Sequence, residues 1–167
     1  MKMKSIFLPF LTLVSANAAP LEMGGALPEL KGKNQDGKEV AIKAAEGHQW
    51  LVVFTYPKAL TGGCTKQVCS VRDSFEELKG KKVTIFGMST DSPEQQKKFH
   101  DKHKLPYDLI SDPKGKLAGK LGIPVRGSMF AARRAILFKD GKLVWKDDKG
   151  ATASQGAELL AAIEKNK

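Results

Sequence analysis

Cysteine and histidine are scarce in this 167-residue sequence, which has two cysteines and three histidines. Two thiolates need at least two further ligands to hold a metal ion, and the chain offers only His48, His100 and His103. His100 and His103 lie three positions apart in a lysine-rich segment whose charge repels a cation, so we interpret both as solvated. The sequence therefore predicts no metal site, and it predicts no other cofactor.

Apolar runs long enough to span a bilayer are also lacking. The run from Ile6 to Val14 is interrupted by Pro9, follows a lysine-containing start and precedes the small residues "ANA". This order is typical of a secretory signal peptide, and the run is too short for a membrane anchor. We predict a signal peptide over residues 1–18, one folded domain over residues 19–167, and no stable membrane insertion after cleavage.

The sequence has no basic arm or stripe, although its formal net charge is +10. Lysines alternate with acidic and apolar residues in segments such as "QQKKFHDKHK" and "KGKLAGK". Binding to nucleic acid depends on clustered positive charge. The scattered pattern favours a solvated surface, and no nucleic-acid partner is expected.

Short apolar runs alternate with segments of helical period, which is typical of an α/β domain. The runs "QWLVVFTY" and "KVTIFGMST" have no polar face and predict two strands that are buried on both sides. Between them, apolar residues spaced four or three apart predict one helix from Cys64 to about Gly80. A strand, a helix and a strand in this order predict a parallel pair with a right-handed crossover.

The remaining segments extend the sheet and add helices. Asp36-Gly37 and Asp140-Gly141 each lie between alternating stretches and predict hairpins. Ser92 and Pro93 predict the start of a helix, and "SQGAELLAAIEKN" predicts a helix at the end of the chain. The expected fold is a mixed sheet with helices on both faces, with the site at the C-terminal end of the strand at 49–56.

Three interpretations are open for Cys64 and Cys69, which both lie in "YPKALTGGCTKQVCS". The first is a structural disulfide, which an exported protein could form in an oxidising compartment. However, residues five apart in an α-helix have Cα atoms roughly 8.7 Å apart, whereas a disulfide needs about 7 Å or less. The pair therefore cannot bridge while the helix is intact, and a metal site lacks further ligands. Redox chemistry is the third interpretation.

The neighbours of Cys64 favour redox chemistry. A helix N-terminus stabilises a thiolate, because its unpaired backbone N–H groups attract negative charge. Gly62 and Gly63 leave those groups open to a small oxygen species, and Thr61 brings a hydroxyl to the same place. Pro57 fixes the direction of the loop and adds an apolar wall. A proline, a threonine four positions later and a cysteine three positions after that form a specific combination.

The segment "PKALTGGC" resembles the PxxxTxxC signature of peroxiredoxins. The segment "GGCTKQVCSVRDSFEELK" is similar to the atypical two-cysteine subgroup, which includes the bacterioferritin comigratory proteins and is also called the peroxiredoxin Q type. The similarity continues through "FGMSTDSPE" and "LISDPKGKLAGKLGI" to the closing hairpin, and it implies a thioredoxin-like fold. The chain departs from the family at Gly62, where proline is common.

The resemblance implies a role for each residue that matches the family pattern. Cys64 corresponds to the peroxidatic cysteine and Cys69 to the resolving cysteine. An arginine on a later strand holds the thiolate and polarises the peroxide, and in "ARRAILF" the matching residue is Arg133. Because side chains alternate along a strand, Arg134 is expected on the opposite face.

The implied function is a thiol-dependent peroxidase that reduces hydrogen peroxide and organic hydroperoxides. The Cys64 thiolate attacks one peroxide oxygen and becomes a sulfenic acid. Pro57 shields the site, while Thr61, Arg133 and the N–H group of Gly63 bind the peroxide as preorganised donors. The helix start then unwinds, and an intramolecular disulfide forms with the second cysteine.

The resemblance also implies partners and a location. Thioredoxin or a thioredoxin-like protein would reduce the disulfide, and two cysteines in one segment are compatible with a monomer. Together with the predicted signal peptide, the family suggests a bacterial periplasm. The alternative is an exported thiol–disulfide oxidoreductase or metal carrier with a thioredoxin-like fold, although an oxidoreductase normally has two cysteines three positions apart.

Overall fold

The computed structural model describes residues 21–127 and 129–167, so the predicted signal peptide lies outside the described residues. The strands are β1 (Lys31–Lys33), β2 (Glu39–Ala41), β3 (Trp50–Thr55), β4 (Val83–Ser89), β5 (Asp108–Ser111), β6 (Val125–Arg126), β7 (Phe130–Ala131), β8 (Arg134–Lys139) and β9 (Lys142–Asp147). The helices are α1 (Gly62–Asp73), α2 (Phe75–Gly80), α3 (Pro93–His103), α4 (Lys116–Lys120) and α5 (Gln155–Lys165). No helix within these described ranges has the length and apolar character needed to cross a membrane.

Seven strands form one mixed sheet in the order β2-β1-β5-β4-β3-β8-β9. Strands β3, β4 and β5 are parallel, whereas β8 and β9 continue the sheet in antiparallel fashion. The parallel pairing of β3 with β4 across α1 confirms the predicted strand, helix and strand unit. Every residue of β3 is buried, because this strand has neighbours on both edges and packed layers on both faces.

Alternate residues of β3 pack into two apolar clusters on opposite faces of the sheet. Val52 and Phe54 lie in one cluster with apolar side chains of α1, α3 and α5. Leu51 and Val53 lie in the other, which includes Ala118 of α4. The prediction of an α/β fold with helices on both faces of a mixed sheet is therefore confirmed.

The predicted turn and capping residues act as expected. Asp140 and Gly141 both have positive φ, at 48° and 74°, which suits the tight hairpin between β8 and β9. Ser92 caps α3, since its hydroxyl accepts a hydrogen bond from the backbone N–H of Gln95, and Pro93 is the first helical residue. These local signals define where the elements begin and turn.

The prediction of one helix from Cys64 to Gly80 is wrong at Ser74, where α1 ends before α2 begins. The hydroxyl of serine competes for backbone hydrogen bonds, so the residue is a weak helix former. Ser74 also lies where α5 makes a close approach, because a Cβ atom on Gly156 would be 2.3 Å from the Ser74 hydroxyl oxygen. The apolar period continues across the break because α2 buries Leu78 in the same cluster as α1.

Candidate functional site

Cys64 is the third residue of α1, which follows the loop from the C-terminal end of β3. Its side chain is 1% exposed. The backbone N–H groups of the first helical residues have no acceptor within the helix, so they form a region of positive potential around the thiol. This position agrees with the predicted location at the C-terminal end of the buried strand.

Arg133 lies directly against Cys64. Its Nη2 atom is 3.5 Å from the Cys64 sulfur, and its Nη1 atom donates to the carbonyl oxygen of Gly63 at 3.3 Å. A Cβ atom at Gly63 would be 3.1 Å from Arg133 Nη2, so glycine at this position lets the guanidinium approach the helix. The structure thus brings together the predicted cysteine, arginine and glycine.

Arg134 points away from the site. Its Nε atom forms an ion pair with Asp148 at 3.3 Å, and its Nη1 atom donates to the backbone carbonyl of Arg133. The side chains of the two consecutive arginines therefore point to opposite faces of the sheet, as the alternation of side chains along a strand predicts. Only Arg133 of this pair contacts Cys64, which makes Arg134 a matched control for experiments on the site.

The loop after β9 supports the backbone of Arg133. Gly150 has a φ of +80°, and a Cβ atom there would be 3.1 Å from the Arg133 carbonyl oxygen. The buried carboxylate of Asp147 accepts hydrogen bonds from the backbone N–H groups of Lys149, Gly150 and Ala151. Asp147 thereby orders the loop that packs on Arg133.

Thr61 is the residue immediately before α1, and its side chain is exposed. Its hydroxyl donates a hydrogen bond to the carbonyl oxygen of Lys58 at 2.9 Å. The prediction that Thr61 donates a hydrogen bond to the peroxide does not fit this arrangement, because its single proton is already engaged. The hydroxyl oxygen retains lone pairs that can accept a hydrogen bond from a peroxide O–H group.

Asp91 holds the loop that begins at Pro57. Its Oδ2 atom accepts hydrogen bonds from the Ala59 N–H group at 2.7 Å and from the Ser89 hydroxyl at 2.8 Å. Its Oδ1 atom is 2.7 Å from Lys58 Nζ, although the lysine side chain is 46% exposed. A buried carboxylate at the end of β4 thus fixes the half-buried Pro57 and the residues that lead to Cys64.

Tyr56 lies in the same apolar cluster as Cys64 and is fully buried. Burial raises the pKa of Tyr56 well above its usual value, and its hydroxyl donates a hydrogen bond to the side chain of Gln96. The phenol is therefore neutral at physiological pH. A neutral ring beside Cys64 adds no negative charge that would oppose a thiolate.

Gln67 and Gln155 form a buried network that sequence patterns did not predict. Arg133 Nη1 donates to Gln67 Oε1 at 2.7 Å, and Gln67 Nε2 donates to Gln155 Oε1 at 2.9 Å. Both glutamines have no exposed surface. One signal was present, since Gln67 lies three residues after Cys64 on the apolar side of α1. A polar residue on a buried helix face needs a partner, and here the partner is Arg133.

Cys69 is half-buried and lies on the same intact helix as Cys64, with both thiols free. Its sulfur is 3.8 Å from Nδ1 of His103 at the end of α3. The interpretation of His103 and His100 as solvated side chains is therefore wrong, since both are only partly exposed and the His100 side chain is 23% exposed. The His103 ring packs edge-on against Phe99, one turn earlier, with centroids 5.2 Å apart, and this contact turns the imidazole toward α1.

Within residues 21–127 and 129–167, no group of three or more histidine, cysteine, aspartate or glutamate side chains is placed to hold a metal ion.

The fold and the site together define a thioredoxin-fold protein with a buried cysteine at a helix N-terminus. Residues 23–146 match the model of the AhpC/TSA family. The chain belongs to this family. The resemblance to peroxiredoxins of the bacterioferritin comigratory and Q type is confirmed by the relatives that the chain matches.

Two curated relatives illustrate the similarity. Peroxiredoxin bcp1 of Schizosaccharomyces pombe is 36% identical over 129 residues, which are 76% of this chain and 66% of the relative. Peroxiredoxin Bcp of Escherichia coli strain K12 is 39% identical over 104 residues, which are 62% of this chain and 66% of the relative. The matched segments thus span slightly less than two thirds of these relatives.

Solved structures share the fold over most of the chain. Peroxidoxin BcpB from Mycobacterium tuberculosis superposes with a TM-score of 0.80 and 24% identity, covering 88% of this chain and 99% of the other. A peroxiredoxin Q structure from Xanthomonas campestris superposes with a TM-score of 0.75 and 25% identity, covering 84% of this chain and 98% of the other. These superpositions support the thioredoxin-like assignment.

Gly62→Pro is expected to stabilise the folded protein. Gly62 is the first residue of α1, Thr61 before it has an extended backbone, and nothing lies within 4 Å of a Cβ built at Gly62. Proline there restricts the unfolded chain and should raise the free energy of unfolding by about 0.4–1 kcal/mol. Thermal denaturation should show a rise in Tm of roughly 1–4 °C. A fall in Tm would mean that the first turn needs the freedom of glycine.

Proposed function

We propose that this protein is a thiol-dependent peroxidase that reduces hydrogen peroxide and organic hydroperoxides. The observation that carries the proposal is the Cys64 sulfur, which is buried at the N-terminus of α1 with Arg133 Nη2 at 3.5 Å. A thiolate held there has a guanidinium and backbone N–H groups around it. The family membership and the names of the relatives support the same activity.

In the first step the Cys64 thiolate attacks one oxygen of the peroxide. A sulfur–oxygen bond forms and the oxygen–oxygen bond breaks, so sulfur is oxidised while the peroxide is reduced. The leaving oxygen takes up a proton and departs as water or an alcohol. Arg133 and the N–H group of Gly63 stabilise the charge on the oxygens, while the Thr61 oxygen accepts a hydrogen bond from the peroxide.

In the second step Cys69 resolves the sulfenic acid. An intact α1 keeps the two cysteines too far apart to bridge, since residues five apart have Cα atoms roughly 8.7 Å apart. The start of α1 must therefore unwind before the disulfide forms. Because both cysteines belong to one helix, a second subunit is not needed, and we propose that the protein acts as a monomer.

The disulfide must then be reduced by an external dithiol. Thioredoxin or a thioredoxin-like protein is the proposed donor, because an intramolecular disulfide near an exposed loop can accept the attack of a dithiol. Thr61 and Leu60 at the start of α1 are exposed, and they provide a surface for such a donor.

We propose export to the bacterial periplasm on the basis of the signal-like segment at residues 1–18. Expression of the full chain in a bacterial host, followed by fractionation and N-terminal sequencing, is the test. A processed protein in the periplasmic fraction would support export, and an unprocessed protein in the cytoplasm would contradict it.

Cys69→Ser is expected to separate the two steps of the proposed reaction. The reduced variant should consume one equivalent of hydrogen peroxide about as fast as the wild type, because the surroundings of Cys64 are unchanged. It should then stop at a sulfenic acid, whereas the wild type proceeds to a disulfide. Stopped-flow fluorescence of Trp50 and Trp145 gives the rates, and mass spectrometry of the intact chain identifies the products.

The same measurement discriminates between the proposed peroxidase and the alternatives. If wild-type protein is oxidised no faster than a free thiol, the peroxidase proposal fails. Reduction of insulin disulfides without rapid loss of peroxide would instead favour a thiol–disulfide oxidoreductase.

A further inference from the structure

The half-buried Cys69 faces an imidazole that the reaction described so far does not use. Cys69 lies in the second half of α1, and its sulfur is 3.8 Å from His103 Nδ1, within hydrogen-bond range for sulfur. The thiol that must lose a proton during resolution thus lies beside a group that can take one.

The contact is held by neighbours on both helices. Arg72 Nη1 donates to the backbone carbonyl of His103 at 3.0 Å, which ties the end of α3 to α1. The His103 ring also packs edge-on against Phe99. One further hydrogen bond, from the Tyr107 hydroxyl to the carbonyl oxygen of Val68 at 2.7 Å, fixes the backbone beside Cys69.

These contacts make the two halves of α1 differ in how firmly they are held by neighbouring residues. The half that contains Cys69 is fastened to α3 and to Tyr107, whereas the first turn of α1 contains Cys64 and follows an exposed loop. We expect the first turn to unwind during resolution while Cys69 stays beside His103. The imidazole is then still in place when the sulfenic acid arrives.

The charges around His103 keep the imidazole neutral. Partial burial lowers the pKa of His103 below its usual value, and the positive charges of Lys102 on α3 and Arg72 on α1 lower it further. Three other titratable groups lie near this contact: Cys69 itself, the phenol of Tyr107, whose pKa is raised by burial, and Asp73, which forms an ion pair with Arg72. At pH 7 the imidazole is therefore free to accept a proton.

We propose that His103 is the general base that activates Cys69 for resolution. His103 Nδ1 takes the thiol proton as the Cys69 sulfur attacks the Cys64 sulfur. The new sulfur–sulfur bond forms while the sulfur–oxygen bond of the sulfenic acid breaks, and the departing hydroxide takes up a proton to become water. The imidazolium then releases its proton to solvent. This inference rests on the proposed peroxidase function.

His103→Phe tests the role because the phenyl ring can keep the packing against Phe99 while removing the ring nitrogens. Resolution, followed as the second phase after one equivalent of hydrogen peroxide, should slow about tenfold or more at pH 7. The first phase should be unchanged. His103→Gln provides a second replacement if the phenylalanine variant folds poorly, and circular dichroism checks that each variant is folded.

His100→Gln is the matched control. His100 lies one turn earlier on α3, and its Nδ1 atom faces Asp101 at 3.2 Å instead of Cys69. Its replacement should leave both phases unchanged. An equal slowing in the His100 and His103 variants would show a general effect of weakening α3 and would overturn the proposal.

The pH profile distinguishes a base from a structural contact. In the wild type the rate of resolution should rise through the pKa of His103 and level off near neutral pH, because only the neutral imidazole accepts a proton. In His103→Phe it should continue to rise with pH as the thiol ionises by itself. Identical profiles in the two proteins would overturn the proposal.

A second readout does not depend on peroxidase activity. In a Cys64→Ser background, alkylation of Cys69 by iodoacetamide at pH 7 should slow about threefold or more when His103 is replaced by phenylalanine. If the wild type fails to react with peroxide but this slowing is seen, the proposed function fails while the contact with His103 remains functional. If peroxide reacts but neither readout changes, only the role of His103 is wrong.

Discussion

Replacing Cys64 with serine is expected to reduce peroxide consumption to the background rate of buffer. A serine hydroxyl at the same position is not ionised at neutral pH and is a far poorer nucleophile than a thiolate. The substitution is nearly isosteric in a site where the side chain is 1% exposed, so the fold should persist. The measurement is stopped-flow loss of hydrogen peroxide under excess protein.

The control for this variant is Cys69→Ser, which has lost the other thiol and retains the surroundings of Cys64. It should complete the first step at the wild-type rate. If Cys64→Ser retained rapid consumption and Cys69→Ser lost it, the roles of the two cysteines would have to be exchanged.

The second large effect is expected for Arg133→Met. Methionine keeps much of the length and apolar volume of arginine but removes the guanidinium, which lies 3.5 Å from the Cys64 sulfur. Loss of one preorganised donor at a developing charge typically lowers a rate constant about 10²–10³-fold. The second-order rate constant with hydrogen peroxide should fall by this factor.

Arg133→Met should also destabilise the fold. Gln67 accepts a hydrogen bond from the guanidinium and has no exposed surface, so the variant leaves its oxygen unpaired. A buried polar atom without a partner costs about 1–3 kcal/mol of the free energy of unfolding. Chemical denaturation measures this loss separately from the rate.

Arg134→Met is the matched control for the rate constant. It removes the same charge from the adjacent residue, whose side chain contacts Asp148 at 3.3 Å instead of Cys64. It should leave the rate constant within about twofold of the wild type at physiological ionic strength, because separated surface charges are screened. Equal losses in the two variants would show that net positive charge, and not the contact with sulfur, accelerates the reaction.

Local patterns predicted the elements that carry the site. The spacing of apolar residues predicted α1, and an uninterrupted apolar run predicted the buried strand β3. Alternation along β8 predicted that only one of two arginines faces α1. These predictions succeeded because each depends on neighbours within one or two elements, where backbone geometry fixes the direction of side chains.

Long-range pairings were beyond the reach of the same patterns. Gln67 and Gln155 are 88 positions apart, and their hydrogen bond depends on how α5 packs against α1. His103 looked like a solvated residue because its own helix segment is rich in lysine. Its contact with Cys69 arises only when α3 is placed beside α1, and helical spacing does not contain that information.

In the proposed reaction, helix α1 also determines the lifetime of the sulfenic acid in the oxidised protein. How long a sulfenic acid at Cys64 persists is governed by how often the first turn opens, and local openings of this kind occur in microseconds to seconds. While the turn is closed, a second peroxide can carry the sulfur to the sulfinic acid, which cannot be resolved by Cys69. In the proposed reaction, the stability of one helical turn therefore sets how much peroxide inactivates the protein. Gly62, at the start of that turn, makes the turn easier to open and so shortens the time for which the sulfenic acid is exposed to a second peroxide.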